Sequence, residues 1–272
     1  MKNAINRALN RTTGYELRKV RGSANGRVAV GRGDRLLRRP GFVLSSVRSG
    51  STLLRVIVDS HSMLHAPHEM HLRDVAVQSR SRYLDRALAA VGLDQRGLEY
   101  LLWDRYLQRE LARSGKQRLV NKTPNDVFVV DRIRECWPDA QLVFLLRHPA
   151  AIARSRAATR PQDTEERNLQ MVRRYCDAVQ DARTRYDGLT VRYEELTAEP
   201  ERVTQELCAF LGVPWERGML DYGRHDHGKL KPGLGDWKDK IKSGAIHPAP
   251  PPPPEDEVPE PLRPLCRTWG YL

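Results

Sequence analysis

Gly41-Phe42-Val43-Leu44-Ser45-Ser46-Val47-Arg48-Ser49-Gly50-Ser51-Thr52-Leu53-Leu54 is the stretch on which the fold turns. It begins as a short apolar run, passes through a tight polar loop, and from Thr52 to Asp59 takes up helical spacing. A loop that leaves a strand and opens a helix exposes free backbone N–H groups at the positive end of the helix dipole, which makes an anion site. Ser49, Gly50, Ser51 and Thr52 supply small residues and hydroxyls for close approach to a phosphate. An ATP- or GTP-binding loop reads G-x-x-x-x-G-K-[ST], with the lysine on the outer phosphates. Here Ser45 stands where the first glycine belongs, Ser51 where the lysine belongs, and the cation has moved to Arg48. That suits a donor with one phosphate bridging to a leaving group, and no metal ion.

Strands and helices alternate outward from this unit. Residues 142–146 form a continuous apolar run, the mark of a strand buried on both faces of a parallel sheet. The run ends in Arg147, not in the Asp that would complete a metal site. Spacing predicts helices over about 150–159, 163–186 and 200–211, a strand over 189–193, and one strongly helical stretch over 83–113. The expected fold is α/β: three layers, with a mostly parallel central sheet flanked by helices, in the manner of P-loop NTPases.

Composition divides the chain of 272 residues into three parts. Residues 1–39 form a basic extension, with eleven Lys or Arg against Glu16 and Asp34. They carry +9 of the net +12, so the body is nearly neutral. Residues 40–247 form the domain. Residues 248–272 hold five consecutive prolines at positions 250–254, confined to polyproline II geometry. The apolar tail that follows is expected to dock on the body. Four scattered cysteines, no signal-peptide run and no stretch approaching the roughly 20 apolar residues of a membrane span point to a cytoplasmic protein.

Residues 42–54 resemble the 5′-phosphosulfate loop of PAPS-dependent sulfotransferases of the bacterial small-molecule type, with Val47 where proline is usual. Phe144-Leu145-Leu146-Arg147-His148-Pro149, with Ser155 eight residues after the arginine, resembles the family's 3′-phosphate motif. Arg147 at a strand's carboxyl end can grip a terminal phosphate with its planar fork, and Ser155 can donate to the same group. Residues 231–238, Lys-Pro-Gly-Leu-Gly-Asp-Trp-Lys, are similar to the family's R-K-G-x-x-G-D-W-K signature, and Lys231 aligns with its arginine. Residues 121–124 and the stretch from Val191 through Tyr193 to Leu196 are also family-like. The resemblance spans about 40–245 with its motifs in order. It implies the sulfotransferase version of the P-loop fold, with PAPS as co-substrate. Arg48, Ser49, Gly50, Ser51, Thr52, Arg147, Ser155, Tyr193, Lys231 and Gly233 would be its binding residues, with no metal.

Sulfuryl transfer needs an in-line hydroxyl nucleophile, a proton acceptor, and cations for the charge that builds on the sulfuryl and bridging oxygens. Arg48 and Lys122 are the candidate cations. Cytosolic relatives take their base from a His inside K-T-H-x-P, but Lys122-Thr123-Pro124 runs through without one. Residues 66–72, Ala-Pro-His-Glu-Met-His-Leu, resemble the stretch in which bacterial and tyrosyl-protein relatives place a Glu, so Glu69 is the first candidate and His71 or His68 the second. Four histidines between residues 61 and 71 raise the question of zinc, yet their spacing is not HExxH and no Cys stands nearby. The acceptor is expected to be a small-molecule hydroxyl compound, with residues 72–118 capping its pocket. A P-loop kinase would share the fold, but the missing lysine argues against it. A nucleic-acid partner is not expected, because the basic arm lacks interleaved aromatics apart from Tyr15. A helix over residues 2–20 would instead offer Ile5, Leu9, Leu17 and Val20 to an anionic membrane surface.

Overall fold

The computed structural model describes residues 34–227 and 239–272. The basic extension up to residue 33, with its candidate membrane helix, and the 231–238 signature with Lys231 and Gly233 lie outside the described residues.

In chain order the elements are β1 (Gly41–Ser45), α1 (Ser51–Asp59), β2 (Leu64–His65), α2 (Arg82–Ala90), α3 (Gln95–Ser114) and β3 (Arg118–Lys122). Next come α4 (Val130–Cys136), β4 (Gln141–Leu146), α5 (Pro149–Ala157), α6 (Glu165–Arg185), β5 (Leu189–Arg192), α7 (Tyr193–Ala198), α8 (Pro200–Leu211), α9 (Asp239–Lys242) and α10 (Arg263–Thr268). The five strands form one sheet in the order β2-β3-β1-β4-β5, and every pairing is parallel. Side chains alternate across the sheet, so each strand feeds two cores. Phe42, Leu44, Leu142, Phe144 and Leu146 face one core with Trp103, Leu107, Val172 and Val179 of α3 and α6. Val43, Val143, Leu145 and Val191 face the other with Leu54, Ile57, Leu207 and Leu211 of α1 and α8. This is the three-layer α/β architecture read from the sequence.

Two expectations change. The helical stretch predicted over 83–113 is two helices, broken where Gly92 adopts φ 73° and Asp94 caps α3 by accepting from the Gly97 N–H. β3 was not foreseen, since residues 118–122 read Arg-Leu-Val-Asn-Lys. It is nonetheless buried between β1 and β2, and its polar residues Asn121 and Lys122 are 0% and 1% exposed.

Leu262, Leu265, Cys266 and Trp269 enter the first core, and the Trp269 indole donates to Gln180 Oε1 at 2.9 Å. Tyr271 then donates to Glu194 Oε2 at 2.8 Å, while Glu194 Oε1 accepts the backbone N–H of His148 at 3.0 Å. Residue 271 is therefore two hydrogen bonds from the turn that follows β4. Among the described residues, no helix is long and apolar enough to cross a membrane.

Candidate active site

With β1 in the middle, the chain crosses to β3 on one side and to β4 on the other, and ligands of open α/β sheets bind at the carboxyl ends beside such a reversal. A cavity of about 530 Å³ lies there. Arg48, Gly50, Ser51 and Thr52 line it from the β1–α1 loop, Arg147 and Ser155 from the β4–α5 unit, and Tyr193 from the start of α7. Residues taken from three motifs spread between Arg48 and Tyr193 thus face one space.

Local geometry explains the residue types. Gly50 sits at φ 84° as the N-cap of α1, and a Cβ there would lie 2.2 Å from Cδ2 of Tyr193. Only glycine meets both demands. Arg48 is held at φ 65°, in the left-handed region that side-chain-bearing residues enter at a cost of about 1–3 kcal/mol. Its carbonyl accepts from Arg147 Nη1 at 2.9 Å, and its Nε donates to Ser155 Oγ at 3.2 Å. Arg147 also lays its guanidinium over the Tyr193 ring, 4.6 Å from the centroid. Burial pulls the Arg147 pKa down, opposed by Tyr193 and Glu194. Ser45 and Ser49 are fully buried in the loop, and their hydroxyls have no hydrogen-bond partner in the protein. Buried hydroxyls of this kind are free to bond a ligand or a water. Glycine against an aromatic ring, orphaned hydroxyls and two arginines make a cradle that fits a nucleotide phosphate.

The rest of the cavity wall is largely apolar, with Tyr222, Ile241 and Ala245 joined by Pro250, Pro251 and Pro253. The proline run, which composition marks only as polyproline II, is thus part of the pocket. Sequence reasoning had no signal for this, because a polyproline stretch fixes its own geometry but not what it leans on.

A second cluster forms at the carboxyl end of β3. Lys122 donates to Glu69 Oε1 at 2.6 Å, with Glu69 only 14% exposed. Burial lowers the Lys122 pKa, and the Glu69 charge acts in the opposite sense. The Glu69 loop is pinned from two sides: Thr123 Oγ1 accepts from the Met70 N–H at 3.0 Å, and Arg55 of α1 donates to the Ala66 carbonyl at 2.9 Å. His71 Nε2 lies 3.7 Å from Glu69 Oε2, and His68 is half-buried beside the same loop. Nearby Asp126 is buried completely; desolvation, reinforced by the Glu69 charge, raises its pKa well above the carboxylate range.

Three other histidines, His61, His65 and His227, serve the structure. His61 donates from Nε2 to the Pro214 carbonyl at 2.7 Å and accepts the Met63 N–H at Nδ1. His65 and His227 both bond to Asp59, at 3.1 and 3.0 Å. Burial alone would raise the Asp59 pKa, but those hydrogen bonds and the Ala66 N–H hold it below its ordinary value.

A family model described as the sulfotransferase family matches residues 40–217. The nodulation protein NoeE of Sinorhizobium fredii is 32% identical over 130 residues, covering 43% of this chain and 31% of that protein. A protein-tyrosine sulfotransferase of Drosophila melanogaster is 24% identical over 196 residues, covering 66% and 39%. The chain therefore spans less than half the length of these two relatives. Among solved structures, the sulfotransferase domain from the curacin biosynthetic pathway superposes with a TM-score of 0.61 at 22% identity, over 88% of this chain and 99% of that one. The sulfotransferase domain of the Synechococcus PCC 7002 olefin synthase gives 0.61 at 24%, over 88% and 98%. Both show the same fold.

Proposed function

The chain belongs to the sulfotransferase family, and we propose that it moves the sulfuryl group of PAPS (3′-phosphoadenosine 5′-phosphosulfate) onto a hydroxyl of a small-molecule acceptor. The observation that carries the donor assignment is the single cavity shared by Arg48, Gly50, Ser51, Thr52, Arg147, Ser155 and Tyr193. The loop N–H groups and hydroxyls would hold the 5′-phosphosulfate, and Arg147 with Ser155 the 3′-phosphate. The apolar wall suits the adenosine. Residues 40–247 act as the catalytic domain, with the proline segment as one side of its pocket.

In this reading the acceptor oxygen attacks sulfur in line. Its proton passes to Glu69, the bond from sulfur to the bridging oxygen breaks, and the electron pair leaves on the 5′-phosphate of PAP (3′,5′-ADP). Arg48 and Lys122 meet the charge that builds on the bridging and sulfuryl oxygens. As Lys122 turns toward the sulfuryl group it loosens its hold on Glu69, leaving that carboxylate free to take the proton.

Thermal stabilisation by PAP with magnesium removed tests the donor assignment; stabilisation by ATP with magnesium, and none by PAP, would point to a kinase instead. Arg147→Ala is expected to weaken PAP binding by about 1.5–3 kcal/mol, the range for hydrogen bonds to charged groups. Equal affinity of mutant and wild type in calorimetry would remove the 3′-phosphate role. Gly50→Ala forces its methyl into the Tyr193 ring. Overpacking of this kind costs about 1–3 kcal/mol, so PAP affinity should drop while far-UV circular dichroism stays that of wild type. Unchanged affinity would mean that the nucleotide does not approach the loop at Gly50.

A further inference from the structure

Three elements meet beyond the carboxyl end of β3: the 3-10 turn Leu72–Asp74 that follows Glu69, the 3-10 turn Pro124–Val129 that follows Lys122, and helix α6. There Arg73 and Arg174 both set their guanidiniums over the ring of Phe128, with Cζ 5.0 and 4.8 Å from its centroid. Phe128 is braced in turn by Tyr175, centroid to centroid at 4.8 Å, and the Tyr175 hydroxyl donates to Asn125 Oδ1 at 2.5 Å.

Other arginines of α6 and its neighbour α5 are matched with carboxylates: Arg156 with Asp163, Arg173 with Asp177, and Arg185 with Asp181 and Asp131. Arg73 and Arg174 are exposed, and among the described residues neither has an ion pair or hydrogen bond. Two cations on one ring stand within about 10 Å of each other, a Debye length at 0.1 M salt, so they repel. Stacking on the aromatic face holds them in place against that repulsion. The turn that carries Arg73 begins at Leu72, directly after the Glu69 loop, so this pair stands on the side of the candidate catalytic carboxylate. Glu69 cannot serve as their counter-ion, because Lys122 already matches its charge.

We propose that Arg73 and Arg174, braced on Phe128, bind an anionic group of the acceptor, a carboxylate or a phosphate monoester, and so place its hydroxyl at Glu69. A planar fork suits either group. The inference rests on the reading of Glu69 as the acceptor-side base, and it makes neutral alcohols the poorer substrates.

The test uses the PAP-saturated full chain and the arginine Nε–Hε resonances, with Arg73 and Arg174 assigned through R73K and R174K. Benzoate, phenyl phosphate and neutral benzyl alcohol are the probes. The two anions should move the Arg73 and Arg174 signals saturably at millimolar concentration and leave exposed Arg105 in place, while benzyl alcohol moves neither. The relative affinity of the two anions tells carboxylate from phosphate recognition. Phe128→Leu, which keeps apolar bulk but removes the ring face, should weaken both anions at least about fivefold, within the range of one cation–π contact. Signals that stay still, or that move no more than Arg105, overturn the proposal, as does undiminished anion binding in Phe128→Leu. A wild-type protein that PAP does not stabilise would fail the donor assignment instead, and the same titration without PAP would still decide this one.

Discussion

Glu69→Gln is expected to lower the turnover of sulfuryl transfer by about 10²–10⁴, the usual worth of a general base, with the protein folded and PAP affinity unchanged. The substitution keeps side-chain length and leaves an amide oxygen to accept from Lys122 Nζ, which now lies 2.6 Å from Glu69 Oε1. What it removes is basicity. The nucleotide would lie on the β1–α1 and β4–α5 loops, and Glu69 is absent from the lining of that cavity. His71→Ala should cost much less, because His71 stands 3.7 Å from Glu69 and would act only through it. Radiolabel transfer from PAPS, beside calorimetry with PAP, separates the two effects. Near-normal turnover in Glu69→Gln, with His71→Ala or His68→Ala dead, would pass the role to that histidine.

The second large effect is expected at Lys122. Lys122→Met keeps an unbranched side chain in a site 1% exposed but deletes the charge. Turnover should fall by about 10²–10³, the scale for losing one preorganised donor to a developing anion. Stability should fall as well, because Glu69 loses its partner in a largely buried position. The double variant Lys122→Met/Glu69→Gln removes both charges, so its melting temperature should recover toward wild type while its activity stays absent. A cycle in which the two losses of stability simply add would show that the pair is not coupled. Normal turnover in Lys122→Met would take the cation role away from it.

The central βαβ unit was legible because its signals are local. An apolar run, a Ser- and Gly-rich loop and helical spacing all fall within residues 41–59, and the apolar run of β4 is equally plain. β3 was hidden by its own composition: Asn121, Lys122 and Thr123 are buried beside the candidate site, so the chain carries polar residues where hydrophobic ones mark a buried strand. The Glu69–Lys122 pair joins residues 53 positions apart, and only the parallel pairing of β2 with β3 brings them together. Both residues were legible singly, from the resemblance; their contact was not. The arginines on Phe128 gave no signal at all, since Arg73, Phe128 and Arg174 are far apart in sequence and arginine is abundant throughout.

The tie from Tyr271 through Glu194 to the His148 N–H has a bearing on how the protein is made. Synthesis runs from the amino end, and domains gain structure as they emerge. The loops around Arg48 and Arg147 leave the ribosome well before the wall at Pro250–Pro253 and the prop at Tyr271. A nascent chain stopped before residue 250 would own Arg48, Arg147 and Ser155 and still lack one side of the pocket and the brace behind the turn after β4. Closure of that pocket would then wait on the emergence of Tyr271, and a ribosome stalled between residues 192 and 250 would carry a chain that owns all five strands and an unfinished cavity.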